Sequence, residues 1–183
     1  MPVTRTTPPG RQPLARTRIL DATWALAAER GLAAVTMRAV AERLGVTPMA
    51  LYRHIGDKQG LLDGLVERLL GEIPLPDPEL PWPDRLEQLA QGMRAVARAH
   101  PDLFPLLFER SATTEAARRP RDAAYSALRE AGLKEADVER AERMLSTFIL
   151  GFACSEAAGR FAHVDADTEF TYATEALRRV FVS

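Results

Sequence analysis

Residues 36–62, TMRAVAERLGVTPMALYRHIGDKQGLL, leave this chain few local choices. Thr36 has the chemistry of a helix N-cap, and the helix it opens runs to about Arg43, with Val40 and Leu44 inward. Gly45 then supplies a turn at positive φ, which glycine takes without steric cost. Thr47 followed by Pro48 is a second start signal, a cap residue before a residue pre-set for the first helical position. This second helix is short and ends near His54, with Ala50 and Leu51 inward. Gly56 and Asp57 stop the chain and restart it. Leu61, Leu62, Leu65, Val66 and Leu69 then form an apolar stripe to about Gly71. The pattern is two short helices joined by a glycine turn, followed at once by a third.

Upstream, residues 14–30 read as a helix, with Leu14, Ile19, Ala22 and Leu26 at near-helical spacing and Gly31 as its stop. Trp24 is off that stripe and is either half exposed or packed on the second half of the chain. Residues 1–13 carry four prolines, a glycine and two arginines. That composition does not pack, and a disordered arm is expected, either following DNA or simply solvated. Downstream, five prolines fall between Pro74 and Pro83. They predict a stiff, extended connection.

The rest reads as helix throughout. Leu86, Leu89, Met93, Val96 and Ala97 make one stripe, ended at His100-Pro101. A short apolar piece covers 103–109. Thr113 and Thr114 are turn or cap residues before a helix that either holds Pro120 in its first turn or starts several residues earlier, and that stops at Gly132. The longest pattern, 135–160, carries Val138, Ala141, Leu145, Phe148, Ile149 and Phe152, interrupted by Gly151 and Gly159. A last helix over 167–181 carries Phe170, Ala173, Leu177, Val180 and Phe181. No segment alternates with period two. The expected fold is all-α, about nine helices. It divides into an arm (1–13), a three-helix unit (14–56), a connecting helix (57–73), a proline-rich linker (74–83) and a helical C-terminal unit (84–183).

At 46% apolar, the 183 residues can bury a sizeable core. The net charge of −1 is unevenly spread: residues 1–58 hold nine Arg and Lys against four acids, so a front end of +5 sits on a body of −6. A basic front end on an acidic body points to a polyanion met by the front end alone. Cys154 is the single cysteine, so neither an internal disulfide nor a cysteine-based metal cluster can form. The polar start has no apolar core of a signal peptide, and no apolar run is long enough to span a bilayer. A cytoplasmic protein without a membrane contact is expected. His54, His100 and His163 are scattered, no glycine-rich phosphate loop is present, and no carboxylate pair stands out on an apolar face. No enzymatic centre, metal or cofactor is expected.

Two helices across a glycine turn form a helix-turn-helix, whose second helix enters the DNA major groove. Thr47, Pro48 and Met49 would meet base edges there, the first with a hydroxyl, the others with apolar contact to a thymine methyl. Tyr52, Arg53 and His54 can bond phosphates. Lys58 begins the next helix, where its ammonium and the free backbone N–H groups both favour a phosphate. Thr36 and Arg38 are placed for backbone contacts. The same geometry occurs in proteins that bind no DNA, with Tyr52 as a half-buried aromatic and His54 as a surface histidine.

Residues 39–62, AVAERLGVTPMALYRHIGDKQGLL, resemble the N-terminal domain of the tetracycline-repressor (TetR) family of bacterial transcription regulators. Residues 19–31 resemble that family's first helix. Ile55 stands where an aromatic is common, and Ala27 where a larger apolar residue is common, with Trp24 as a possible compensation. The resemblance implies a homodimer through the last two helices, with Gly151 and Ala153 allowing close approach. It implies a double-stranded, palindromic operator. It also implies a small-molecule effector, apolar and fairly bulky, held among the middle helices by Met93, Phe104, Phe108, Tyr125, Met144, Phe148 and Phe152. Any of these seven is equally readable as plain core. His100 is a ligand-bonding group or a helix cap, and Cys154 a small core residue. The helix over 57–71 would carry the effector's signal to the DNA. Competing readings are a DNA-binding regulator without a ligand and an interaction module that has lost DNA binding.

Overall fold

The helix starts follow the capping chemistry. In the computed structural model, which describes residues 14–110 and 114–181, α1 spans Arg16–Arg30 and a single 3-10 turn spans Leu32–Ala34. Then come α2 (Met37–Leu44), α3 (Pro48–Ile55) and α4 (Lys58–Gly71). The second half holds α5 (Trp82–Ala99), α6 (Leu106–Glu109), α7 (Glu115–Glu130), α8 (Glu135–Ala157) and α9 (Ala166–Phe181). The described residues are therefore all-helical, with nine α-helices and no strand. No helix among them is long and apolar enough to cross a membrane. The arm expected over 1–13 and the turn residue Thr113 lie outside the described residues.

Four starts rest on a side chain that accepts from the first turn. At α9 it is Asp165, which takes the N–H of Asp167 (3.2 Å). Thr36 takes the N–H of Ala39 (3.1 Å), Asp57 those of Gln59 and Gly60 (2.8 and 3.2 Å), and Thr114 that of Ala117 (3.2 Å). For Pro120 the earlier of the two expected helix starts holds. Pro120 lies well inside α7, because that helix starts at Glu115. Its missing N–H leaves the carbonyl of Ala116 without its helical donor, and Ala116 is exposed, so water can serve it. Gly151 lies within α8 without interrupting it, whereas Gly159 follows the helix at φ 76°.

The proline-rich segment is packed rather than free. Ile73 and Pro76 are buried, and α5 begins inside the segment at Trp82, with Pro83 in the first turn where proline is tolerated. A Cβ on Gly92 would come within 2.9 Å of the Pro74 ring, so the glycine lets the segment lie directly on α5. One apolar cluster runs through both halves. It joins Ile19, Leu51, Leu61 and Leu69 to Leu89, Val96, Phe104 and Ala153.

The second half is tied by a buried arginine. Arg94 of α5 is only 2% exposed. It donates twice to Glu156 of α8, at 2.7 Å each, and pairs with Asp167 of α9 at 2.9 Å. Its guanidinium lies over the rings of Phe170 (4.6 Å) and Phe152 (5.5 Å). Arg98 donates to the same two carboxylates at 2.6 and 2.7 Å. Hydrogen bonds from Arg94 and then Arg98 hold the Glu156 carboxyl below its ordinary range against the opposing effect of burial.

A carboxyl whose folded-state pKa is depressed stabilises above its unfolded value, and that stability is lost as the pH falls through the folded value. Glu156→Gln should therefore cost about 3 kcal/mol near pH 7, because Arg94 keeps its burial but loses its main partner. Urea denaturation should show the two proteins converging in acid, where Glu156 is protonated in both folded and unfolded chains.

Candidate nucleic-acid interface and ligand cavity

The turn between α2 and α3 closes as a helix C-cap. Gly45 is left-handed (φ 66°, ψ 35°), its N–H reaches the Glu42 carbonyl at 3.1 Å, and the Val46 N–H reaches Ala41 at 3.0 Å. Thr47 precedes α3 as expected, but its hydroxyl makes no capping bond, so it is not committed to the helix it precedes.

Two side chains hold α3 to the core: Leu51 is fully buried and Ile55 nearly so. The other polar and apolar groups of that region face water. Thr47, Pro48, Arg53 and His54 are exposed, Met49 is 69% exposed and Tyr52 48%. Pro48, Met49, Tyr52 and Arg53 recur at helical spacing and share one side of α3. Thr36, Arg38 and Lys58 are exposed as well. Arg38, Arg53 and Lys58 make no ion pair among the described residues, whereas Arg43 is spent on Glu29 at 2.6 Å. One part of the expectation needs correcting. The start of α4 does not offer a row of free N–H groups, because the Asp57 carboxylate occupies those of Gln59 and Gly60. A phosphate there would be drawn by the Lys58 ammonium.

The position of α3 is set from below by α4. A Cβ on Gly60 would sit 2.0 Å from the Ile55 carbonyl oxygen. Only a residue without a side chain lets the start of α4 come this close to the end of α3. One turn on, a Cβ on Gly64 would strike the Leu20 side chain at 2.1 Å, so α4 also crosses α1 closely.

In the second half, a cavity of about 590 Å³ opens between the end of α4 and helices α5 to α9. Met93 and Phe108 are in its wall, along with Leu70, Ile73, Leu89 and Ile149. The other five aromatic and methionine candidates lie elsewhere. Phe104 is in the main core at 1% exposure. Phe152 stacks on Phe161 (4.5 Å between centroids), meets Phe170 (5.0 Å), and has Phe148 beside it (6.1 Å). Tyr125 packs on the Leu128–Val138–Ala141 cluster, and Met144 faces outward at 41% exposure. The space exists because the inward side of α7 is small: Ala117, Pro120 and Ala124 line it. That spacing of small residues was the available signal in the sequence, and size-based reasoning passed over it. His100 is not in the wall. Its Nε2 lies 2.7 Å from Glu72 and its ring meets Trp24 edge-on at 4.7 Å. Trp24 is thus packed against the second half of the chain, with the Arg68 guanidinium 4.4 Å from its ring.

The cavity and the α3 region are linked by Arg110. This residue follows α6 and lines the cavity. Its Nε donates to Asp63 at 2.8 Å, and other guanidinium nitrogens reach Asp63 and the Gln59 side chain at 2.5 Å each. Gln59 is the neighbour of Lys58, so a wall residue of the cavity grips the first two turns of the helix that carries α3.

The profile of bacterial regulatory proteins of the tetR family matches residues 19–65, and that of the tetracyclin repressor-like C-terminal domain matches residues 75–181. The chain is 34% identical over 143 residues to the Escherichia coli tetracycline repressor protein class A from transposon 1721, covering 72% of this chain and 62% of that protein. Its fold is similar to that of Streptomyces coelicolor ActR in complex with actinorhodin, at 23% identity and a TM-score of 0.84, over 93% of this chain and 96% of the other. It is also similar to BioQ with its natural double-stranded DNA operator, at 26% identity and a TM-score of 0.79, over 93% and 99% of the two chains. The chain spans 52% to 63% of the length of the curated relatives it matches over most of its own length. With its helix-turn-helix and its helical second half each matched by the corresponding family domain, this chain belongs to the TetR family of transcriptional regulators.

Proposed function

We propose that this protein is a transcriptional repressor that binds a palindromic operator and releases it when a small, largely apolar molecule enters the 590 Å³ cavity. The observation that carries this reading is the pairing of an outward-facing α3 with a cavity whose wall residue Arg110 holds the helix beneath it. Thr47, Pro48 and Met49 are taken to read bases, and Thr36, Arg38, Tyr52, Arg53, His54 and Lys58 to hold the backbone. A protein of similar fold carries operator DNA and another carries a small molecule, which supports both halves of the reading. A cavity of this size speaks against a ligand-free regulator, and the exposed, unpaired basic groups speak against a module without DNA.

The operator's symmetry would come from a second copy of the chain. On the outer side of α8 and α9, Met144, Tyr172 and Val180 are exposed at 41%, 72% and 62%. Among the described residues a Cβ on Gly151 would meet nothing within 4 Å, so this face has room for a close partner helix. Ala153 does not share that face. It is 1% exposed and belongs to this chain's own core. Dimerisation through these helices would set two copies of α3 on successive major-groove faces.

The release step is assigned to α4. A ligand that displaces α6 would pull Arg110 against Asp63 and Gln59, tilt α4 and move α3 with it.

Selection from a random DNA pool should return an inverted repeat, and a non-symmetric or absent consensus contradicts the reading. On the selected site, Lys58→Ala should weaken binding to all sequences alike and reduce the slope of log affinity against log salt by about one. A change of base preference would place Lys58 among the base readers instead. Arg110→Ala should keep operator affinity but raise the half-release concentration of an active compound about ten-fold. Unaltered release would remove Arg110 from the signal path.

A further inference from the structure

The charges in the cavity wall are not balanced. Eight of its residues are ionisable, and five of these, Asp84, Glu109, Arg121, Glu175 and Arg178, are exposed, so water screens them. Three are half-buried: Glu87 of α5, Glu142 of α8 and Arg110. The Arg110 charge is already met by Asp63. Neither Glu87 nor Glu142 makes an ion pair among the described residues; Glu87 accepts only a neutral hydrogen bond, from Gln91 at 2.8 Å. Arg121 and Arg143 act on Glu142 from exposed positions without pairing with it, and Ser146 gives it a neutral hydrogen bond. The half-buried part of the wall therefore holds two carboxylates without an ion-pair partner among the described residues, beside apolar side chains such as Leu89, Met93 and Ile149. Burying an unpaired carboxylate costs stability unless a partner arrives. Burial pushes the Glu142 carboxyl up from its ordinary range, which is the expected sign of that cost.

We propose that the cavity selects a cationic amphiphile, an apolar body bearing one ammonium-like charge that docks against Glu142, with Glu87 as the second carboxylate. The inference rests on the reading of the cavity as the effector site and names the chemical class of that effector. An apolar body recovers the area of Leu89, Met93 and Ile149, while the cation supplies the close ion pair that Glu142 does not make among the described residues. An anion would meet the same two carboxylates as repulsion. A neutral molecule of the same shape would gain the apolar contact and leave the carboxylates unpaired.

Three probes separate these cases, titrated calorimetrically into the full chain: tetraphenylphosphonium, its isosteric anion tetraphenylborate, and neutral triphenylphosphine oxide, in which an oxygen replaces one phenyl group. The cation should bind about ten-fold or more tightly than the neutral probe, with the borate weakest. Glu142→Gln should reduce that preference to about two-fold by weakening the cation alone, and Glu87→Gln should have a smaller effect of the same sign. Equal affinities, a preference for the borate, no saturable binding of the cation, or a cation affinity indifferent to both substitutions would overturn the proposal. Release of the selected operator is read separately by fluorescence anisotropy. A cation that binds with the stated preference yet leaves the operator bound contradicts the effector reading, not the charge preference.

Discussion

The arrangement depends on one contact between two backbones. At Gly60 the first turn of α4 lies so close to the end of α3 that a methyl group would occupy the space of the Ile55 carbonyl oxygen. Asp57 caps α4 immediately before this point, which fixes where the helix starts and hence where its glycine meets α3. One turn later Gly64 brings α4 onto Leu20 of α1 in the same way. Close-packed interiors deform little. A helix held this closely to its neighbours cannot tilt without moving them, so the direction of α4 sets the direction in which Met49, Tyr52 and Arg53 point.

The far part of α4 belongs to the other half of the molecule. Leu70, and Ile73 just beyond the helix, are cavity wall. Arg110 reaches from that wall to Asp63 and Gln59. A second junction lies at the end of α4, where Glu72 meets His100 just past the end of α5, and Arg68 and His100 both pack on Trp24 of α1. The apolar core is continuous across these contacts, so the two halves form one packed body and the proline-rich segment between them lies on α5. Under the proposed function, coupling between the cavity and α3 then requires only that a ligand change the position of α6 or of the end of α4.

Much of this was legible in the sequence because it is local chemistry. Thr36, Asp57 and Thr114 act through their own first turns, Pro48 through its fixed φ, and Gly45 through a conformation that few other residues adopt. The exposed face of α3 followed from the same short span. What stayed hidden depends on distant chain. A helical stripe says that a side chain points inward but not whether it meets a neighbour or a space. Phe104 and Phe108 are four residues apart, and the first is core while the second is cavity wall. Arg94 sat unremarked within an apolar stripe because its partners, Glu156 and Asp167, are more than sixty residues away. Glu142, Arg110 and the notch at Gly64 were illegible for the same reason, whereas the notch at Gly60 lies close in sequence to Ile55 and depends on the angle between α3 and α4. The small inner side of α7, which creates the cavity, could have been read and was obscured by attention to large side chains.

The central claim is that α4 dictates the placement of α3 through the gap at Gly60. Gly60→Ala tests it most directly, with operator affinity measured alongside ligand-independent thermal unfolding. The account predicts a fold that keeps its helix content and cooperative unfolding while operator affinity falls by about ten-fold or more, because α3 must shift to clear the Ile55 carbonyl. Operator affinity equal to that of the unaltered protein, in a folded Gly60→Ala chain, would contradict it.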